Sequence, residues 1–145
     1  MNEEEGTQFL NVDLEIFSRA PLDSLVAAFG EKVSVLGVRR LGNRRYGAYL
    51  ETGAGLHRIA TADMIICHAV RLVKRLPRPA RKLWNQAESR EFNIGIEAAV
   101  RSTDFELRLE TKTVEAVASV HGRIVITVYA PERIPRFHGG RKNGG

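Results

Sequence analysis

The sequence predicts a single α+β domain, with a mixed or antiparallel sheet made from two related strand–helix–strand units and helices mainly on one face. An alternating apolar run opens each unit, at 8–17 and again at 91–100. A short amphipathic stretch, a glycine and a β-branched run follow each of these openings. A chain of 145 residues with 43% hydrophobic content can bury one core without disulfide or metal support.

The similarity between the two units spans residues 8–38 and 91–129. Phe9–Glu15 aligns with Glu91–Glu97, and in both segments an Asn opens an alternating apolar run that ends on Glu. The matched segments are short, so an internal duplication and a chance recurrence of a common pattern both account for them. The fold prediction holds in either case.

The first unit is predicted as strand 8–17, helix 18–30 and strand 33–38. The strand alternates apolar and polar residues, which is typical of a half-buried strand. In the helix, Pro21 suits the first turn and Gly30 suits the C-terminal cap.

The middle of the chain predicts a hairpin and two helices. The strand at 33–38 turns through 41–44 into a second strand at 45–51. Apolar residues at helical spacing then predict a long helix over 61–76. Pro77 interrupts it, since proline lacks the amide hydrogen, and a short helix carrying Trp84 follows.

The second unit is predicted as strand 91–100, helix 113–120 and strand 123–129. An additional strand is predicted at 105–109, where apolar and charged residues alternate. The domain therefore spans 8–130.

Both ends of the chain are predicted to lie outside the folded domain. Residues 1–7 are short, polar and acidic, which predicts disorder. Residues 131–145 combine prolines, glycines and basic side chains without apolar periodicity, which predicts a flexible basic tail.

Composition excludes several classes of protein. Cys67 is the single cysteine, so an internal disulfide and a cysteine-rich zinc site are both excluded. No apolar stretch approaches the roughly 20 residues of a membrane-spanning helix. The N-terminus is acidic where a signal peptide is basic and then apolar. We therefore expect a cytoplasmic protein without a membrane partner.

The sequence predicts no catalytic residue, no metal site and no cofactor. The loop Gly53–Gly55 lacks the third glycine of a dinucleotide loop and the Gly-Lys-Ser/Thr of a P-loop. The four histidines are scattered, without the spacing of helical metal ligands, at His57, His68, His121 and His138. A small-molecule enzyme using the loop at 53–57 is the last-ranked alternative. A Ser/His/Asp set assembled from distant positions stays open, because such sets are defined by geometry.

The strongest functional indication is an uneven distribution of charge. The chain carries net +5, but residues 1–38 hold two basic and seven acidic side chains, whereas 39–82 hold eleven basic and two acidic. Four of these cations bracket the predicted hairpin turn, and six more fall in one twelve-residue stretch without an acid. The ten predicted binding residues are Arg39, Arg40, Arg44, Arg45, Arg71, Lys74, Arg75, Arg78, Arg81 and Lys82.

Three interpretations of these cations follow. They form a solvated face whose acidic counterpart lies in residues 1–38 or on a second subunit. Alternatively, they bind an acidic protein partner or support self-association, and this is the function we expect of an interaction domain without enzymatic activity. Backbone-directed nucleic-acid binding, aided by the basic tail, is the runner-up; it is not favoured because well-placed stacking aromatics are lacking.

The second half of the chain resembles an uncharacterised family of small bacterial α/β proteins classed as a domain of unknown function. The resemblance lies in the segment Leu76–Trp84 leading into Phe92–Ile96, in Val114–Gly122, and in the closing strand Ile124–Tyr129. It implies the duplicated α+β fold and no established activity.

Overall fold

The computed structural model describes residues 6–53, 56, 59–101 and 104–131. The predictions for the N-terminal residues 1–5, for most of the loop at 53–58 and for the tail from 132 onward lie outside this range. The helices and strands, in chain order, are β1 (Gln8–Ser18), α1 (Asp23–Phe29), β2 (Ser34–Gly42), β3 (Arg45–Glu51), α2 (Ala62–Lys74), α3 (Arg78–Gln86), β4 (Ser89–Glu97), α4 (Thr111–Ser119) and β5 (Arg123–Tyr129), with a 3₁₀ turn at Gly30–Lys32 after α1.

The strands form one mixed sheet in the order β2-β3-β1-β4-β5. All neighbouring strands are antiparallel except β4 and β5, which are parallel. Parallel neighbours need a crossover connection, and α4 provides it. The predicted α+β class, the hairpin β2–β3 and both strand–helix–strand units are confirmed.

The two units differ in how their strands meet. β4 and β5 are direct neighbours, whereas β3 lies between β1 and β2. The central pair β1–β4 is nevertheless symmetric in register: Asn11 lies opposite Gly95, Val12 opposite Ile94, and Asp13 opposite Asn93. In the sequence alignment of the two units, Asn11 corresponds to Asn93 and Asp13 to Gly95. Each pair across β1–β4 therefore corresponds to another such pair, as expected for a local two-fold axis through the Val12–Ile94 pair.

The core lies between one face of the sheet and the helices. On β1 the even-numbered residues of 12–18, and on β4 those of 92–96, are buried there, while their odd-numbered neighbours lie on the other face, which we call the open face. Trp84 on α3 is fully buried, and its indole Nε1–H donates to the carbonyl of Val120 at 2.9 Å. The largest fully buried side chains are Trp84, Phe92, Leu14, Ile16, Leu22, Leu25, Leu50, Ile66 and Ile94.

Helix α2 begins where its sequence provides a cap. The Thr61 hydroxyl accepts the amide hydrogen of Met64 at 3.3 Å, which satisfies one of the free donors of the first turn. The helix ends at Lys74, before Pro77, and α3 starts at Arg78 with a proline in its first turn.

Two predictions of local structure are wrong. The strand predicted at 105–109 is absent: residues 104–110 form no strand in the described chain, and Leu107 and Leu109 instead pack against the core. The helix predicted from Ser18 begins only at Asp23, because β1 continues to Ser18 and pairs it with Tyr46.

Within the described residues, no helix combines the length and apolarity needed to span a bilayer.

Candidate interaction surfaces

Six predicted cations lie together on the consecutive helices α2 and α3 and, at Arg75, on the residue that caps α2. Five are exposed, and Arg81 is half-buried. We call this group the α2–α3 basic surface; it consists of Arg71, Lys74, Arg75, Arg78, Arg81 and Lys82.

Arg81 joins the two helices into one surface. Its Nη1 donates to the carbonyl of Val73 at 3.2 Å, and its Nε donates to Oδ1 of Asn85 at 3.4 Å. A guanidinium beside the last turn of α2 also complements the negative end of that helix. Arg81 is therefore a structural member of the surface, whereas its exposed neighbours are free to meet a partner.

A groove runs along α3 within this surface. It is shallow and open to solvent, with a volume of about 550 Å³, and it is lined by Leu76, Arg78, Arg81, Lys82, Asn85 and Gln86. Its chemistry combines three cations, two amides and one apolar side chain. Such a lining can hold carboxylates and hydrogen-bond a main chain at the same time.

The positive charge of this surface also affects His68, which lies on α2. Partial burial and then the nearby charges of Arg71, Lys32 and Arg75 lower the pKa of His68. Lys32 is exposed and lies in the 3₁₀ turn after α1, so it joins the field from another element. Among the described residues, none of the six cations forms a salt bridge with a carboxylate.

The four hairpin arginines do not form one cluster. Arg39 lies on the open face, 5.5 Å from the ring centroid of Tyr49. Arg40 points to the opposite face, and its Nε donates to the carbonyl of Gly42 at 3.4 Å. Arg44 occupies the turn with φ 54°.

Arg45 belongs to a separate cleft at the hairpin end of the sheet. This cleft of about 470 Å³ is lined by Arg19, Asn43, Arg44, Arg45 and Glu88. Glu88 lies 2.7 Å from Nε of Arg19 and 3.9 Å from Nη2 of Arg45. An acid of the chain itself therefore partly neutralises these cations, unlike those of the α2–α3 basic surface.

The open face carries all five acidic residues of the sheet's strands, and the sequence predicted no site there. They are the odd-numbered carboxylates of three adjacent strands, Asp13, Glu15, Glu51, Glu91 and Glu97. The alternation that predicted these strands also placed their acids on one face, so the signal was present.

These carboxylates are crowded at the centre of the open face. Burial and the charges of Glu51 and Glu15 raise the pKa of Asp13 to about 6. Burial also raises the pKa of Glu15, against the opposing effect of its hydrogen bond from Asn93 at 3.3 Å. This acidity lies across the sheet from the helices, so it does not pair with the α2–α3 basic surface within one molecule.

The described residues provide no metal site. They contain no group of three or more His, Cys, Asp or Glu side chains that could hold an ion. Cys67 is half-buried, with its Sγ 3.5 Å from the Thr113 hydroxyl. The loop at 53–57 and His138 fall largely outside the described range, so the structure says nothing about them.

No family model matches this chain, and neither a curated protein nor a solved structure matches it significantly. The resemblance to the uncharacterised bacterial family stays a prediction.

Proposed function

We propose that this protein is a cytosolic, non-enzymatic interaction domain that binds an acidic segment of a partner protein on the α2–α3 basic surface. One observation carries the proposal: the groove along α3 gathers Arg78, Arg81 and Lys82 around Leu76, and no carboxylate of the described chain neutralises them.

The dimensions of the groove indicate the length of the segment. Helix α3 has nine residues, so it is about 13 Å long at 1.5 Å per residue. An extended peptide rises about 3.3 Å per residue, so about four residues lie along the groove. A segment with two or three carboxylates and one apolar residue matches its lining.

The chemistry of the lining favours a protein over a nucleic acid. Single-stranded nucleic acid binds through aromatic side chains that stack on bases, but no aromatic residue of the described chain lines this groove. Trp84, the aromatic residue of α3, is fully buried and donates its indole hydrogen to Val120. Asn85 and Gln86 instead offer paired donors and acceptors that suit a peptide main chain.

The test measures fluorescence polarisation of three labelled probes at 50 and 200 mM salt. The probes are a peptide rich in Glu and Leu, a control peptide in which Lys replaces each Glu, and a single-stranded DNA of matched length. We expect micromolar binding of the acidic peptide and weaker binding of the other two. Reversing Arg71, Arg75 and Arg78 to Glu removes three exposed cations and adds three acids, so peptide affinity falls by about 100-fold or more.

The matched control reverses three other exposed arginines, Arg39, Arg40 and Arg44, which lie on the hairpin. This control keeps its affinity within about threefold, because none of its three residues lines the groove and salt screens exposed charges outside the contact. Equal losses in both triple variants contradict the proposal, since they would show general attraction to a basic protein. Tighter binding of DNA than of peptide, with a steep salt dependence, also overturns it in favour of nucleic-acid binding.

A further inference from the structure

The two edges of the sheet are protected to different degrees. On β2 the pairing register shifts twice, and Arg39 and Arg40 place charges on both faces; bulges and charges of this kind block edge-to-edge pairing. β5 pairs with β4 without a register shift and reads RIVITVY. Its side chains are unusually exposed for their type: Ile126 at 57%, Val128 at 59% and Tyr129 at 50%.

The hydrogen bonding of β5 shows which of its main-chain groups are free. The carbonyl of Tyr129 accepts the amide hydrogen of Ala98 at 2.9 Å, so the main-chain groups of Tyr129 face β4. These groups alternate in direction along a strand. The N–H and C=O groups of Ile124, Ile126 and Val128 therefore point to the outer edge, where no strand of the described chain pairs with them.

We propose that β5 pairs antiparallel with β5 of a second copy of this chain, in a register centred on Ile126. In this register Ile126 faces Ile126 of the partner subunit, and Ile124 faces Val128 of the partner subunit. All three outward-facing residues of each strand then form hydrogen-bonded pairs, which gives six main-chain hydrogen bonds across the two-fold axis. The two five-stranded sheets become one continuous ten-stranded sheet.

The same register is self-complementary on both faces. On the helix face, Ile124, Ile126 and Val128 of the two copies form one apolar row. On the open face, Arg123 lies opposite Tyr129 of the partner subunit, a pairing that suits a cation–π contact. Val125 lies opposite Thr127 of the partner subunit, and β-branched pairs of this kind stabilise sheets.

The charge pattern indicates a second copy rather than an unrelated strand. Within each chain, Glu91 lies 3.9 Å from Arg123, and Glu97 is the β4 neighbour of Tyr129. The antiparallel register therefore brings Arg123 of one copy toward Glu97 of the other, at both ends of the interface. A strand of arbitrary sequence would not place opposite charges at both ends. This interface is separate from the α2–α3 basic surface, so each can fail without the other.

Sedimentation equilibrium of the full chain tests the proposal. We expect a mass near twice the 16.2 kDa of the monomer at micromolar concentration. Ile126→Lys places two ammonium groups opposite each other on the axis, which raises the dimer Kd by about 100-fold or more because like charges in directly opposed positions repel. The matched control is Leu36→Lys, since Leu36 is an equally exposed apolar residue on the other edge strand, at 52%.

The control variant keeps the wild-type mass. A wild-type chain that stays monomeric at 200 μM overturns the proposal, as does a dimer that survives Ile126→Lys or is lost in Leu36→Lys. Circular dichroism of both variants shows whether they fold; their side chains are exposed, so a native spectrum is expected.

A cysteine cross-link tests the register itself. In a Cys67→Ala background, Ile126→Cys places two thiols across the axis, where Cα atoms of a hydrogen-bonded pair lie about 5.5 Å apart and a disulfide can form. We expect a covalent dimer on mild oxidation, and none from Leu36→Cys in the same background. Efficient cross-linking of Leu36→Cys, or its absence in Ile126→Cys, contradicts the register.

Discussion

The two strand–helix–strand units each place a glycine after the helix, but for different physical reasons. Gly30, after α1, adopts φ 65° and ψ −149°, a region that residues with a Cβ rarely occupy, and it has open space around it. Gly122, after α4, lacks space: a Cβ there would lie 2.6 Å from Cε2 of Phe92. Glycine is therefore required by the backbone conformation in one unit and by side-chain packing in the other.

This difference follows from the topology of the sheet. In the first unit β3 separates β1 from β2, so the chain leaves α1 through an exposed 3₁₀ turn. In the second unit β5 lies directly beside β4, and Ile124 pairs with Phe92. The chain must therefore return tightly over the Phe92 ring, and only a residue without a side chain fits.

The largest expected effect comes from Trp84, whose indole hydrogen bonds to the carbonyl of Val120, directly after α4. Trp84→Ala removes a fully buried indole and leaves a cavity, so the free energy of unfolding falls by about 3–5 kcal/mol. Trp84→Phe keeps much of the apolar burial but leaves the Val120 carbonyl without its donor, at a cost of about 1–3 kcal/mol. Urea denaturation of both variants measures the difference, and equal losses would contradict this division.

The two glycines provide the next test. Gly122→Ala forces a methyl group into the buried Phe92 ring and lowers the free energy of unfolding by about 3 kcal/mol. Gly30→Ala incurs only backbone strain, about 1–2 kcal/mol.

A second substitution separates the two causes. Phe92→Leu, itself destabilising, removes the ring atoms that lie closest to the new methyl group, so Gly122→Ala becomes less costly in that background. Gly30→Ala keeps the same cost in either background. A double-mutant cycle by thermal or urea unfolding measures both couplings, and additive losses at Gly122 would show that the Phe92 ring is not the reason for that glycine.

The sequence predicted the elements whose signals are local. The apolar periodicity of α2 and the alternation of β1 and β4 led to elements within a few residues of those observed. The same alternation at 105–109 led to a wrong strand, because a segment that packs alternate side chains against the core shows the pattern of a paired strand. The pattern reports burial on one side and does not report a hydrogen-bonding neighbour.

The candidate surface was predictable to the extent that its residues are sequence neighbours. The six cations of the α2–α3 basic surface lie within twelve residues, on α2, its C-cap and α3, and stay together. Arg39 and Arg40 are also adjacent, yet a strand sends them to opposite faces, and this could have been predicted. Lys32 lies near the α2–α3 basic surface, and Arg19 lies in the cleft at the hairpin end, only because of the tertiary fold. No local sequence pattern predicts these positions.

The C-terminal end of α4 offers a smaller, stabilising change. His121 adopts φ 60° directly before Gly122, a conformation that costs a residue with a Cβ about 1 kcal/mol relative to glycine. His121→Gly therefore raises the free energy of unfolding by about 1 kcal/mol. The substitution keeps the main-chain carbonyl of residue 121, which accepts the hydrogen of Arg90 Nε at 2.9 Å. The matched control is Ser119→Gly in the last turn of α4, which lowers stability by about 0.5–1 kcal/mol. Thermal unfolding that shows the same sign for both variants contradicts this account.

The smallest expected effect distinguishes the units on the open face, where Asp13 of β1 aligns with Gly95 of β4. The pKa of Asp13 is raised to about 6 by burial and by the charges of Glu51 and Glu15. An unfolded aspartate has a pKa of about 3.9, so the folded state binds this proton more tightly. The resulting stability is complete below pH 4 and is lost as pH rises through the window from about 4 to 6.

At pH 7 the wild-type chain therefore carries an unfavourable charge that Asp13→Asn removes. We expect this variant to gain about 1 kcal/mol at pH 7, a value reduced for solvent screening because the carboxylate is half-exposed, and almost nothing at pH 4. Glu31→Gln removes one negative charge from the exposed turn after α1 and changes stability by less than about 0.5 kcal/mol at either pH. Urea unfolding of both variants at pH 4 and pH 7 measures the gain; an equal gain for Asp13→Asn at the two pH values would show that its charge is not the cause. Gly95, covered by the Tyr129 ring, carries no charge at the aligned position, so only the first unit is expected to show this pH dependence.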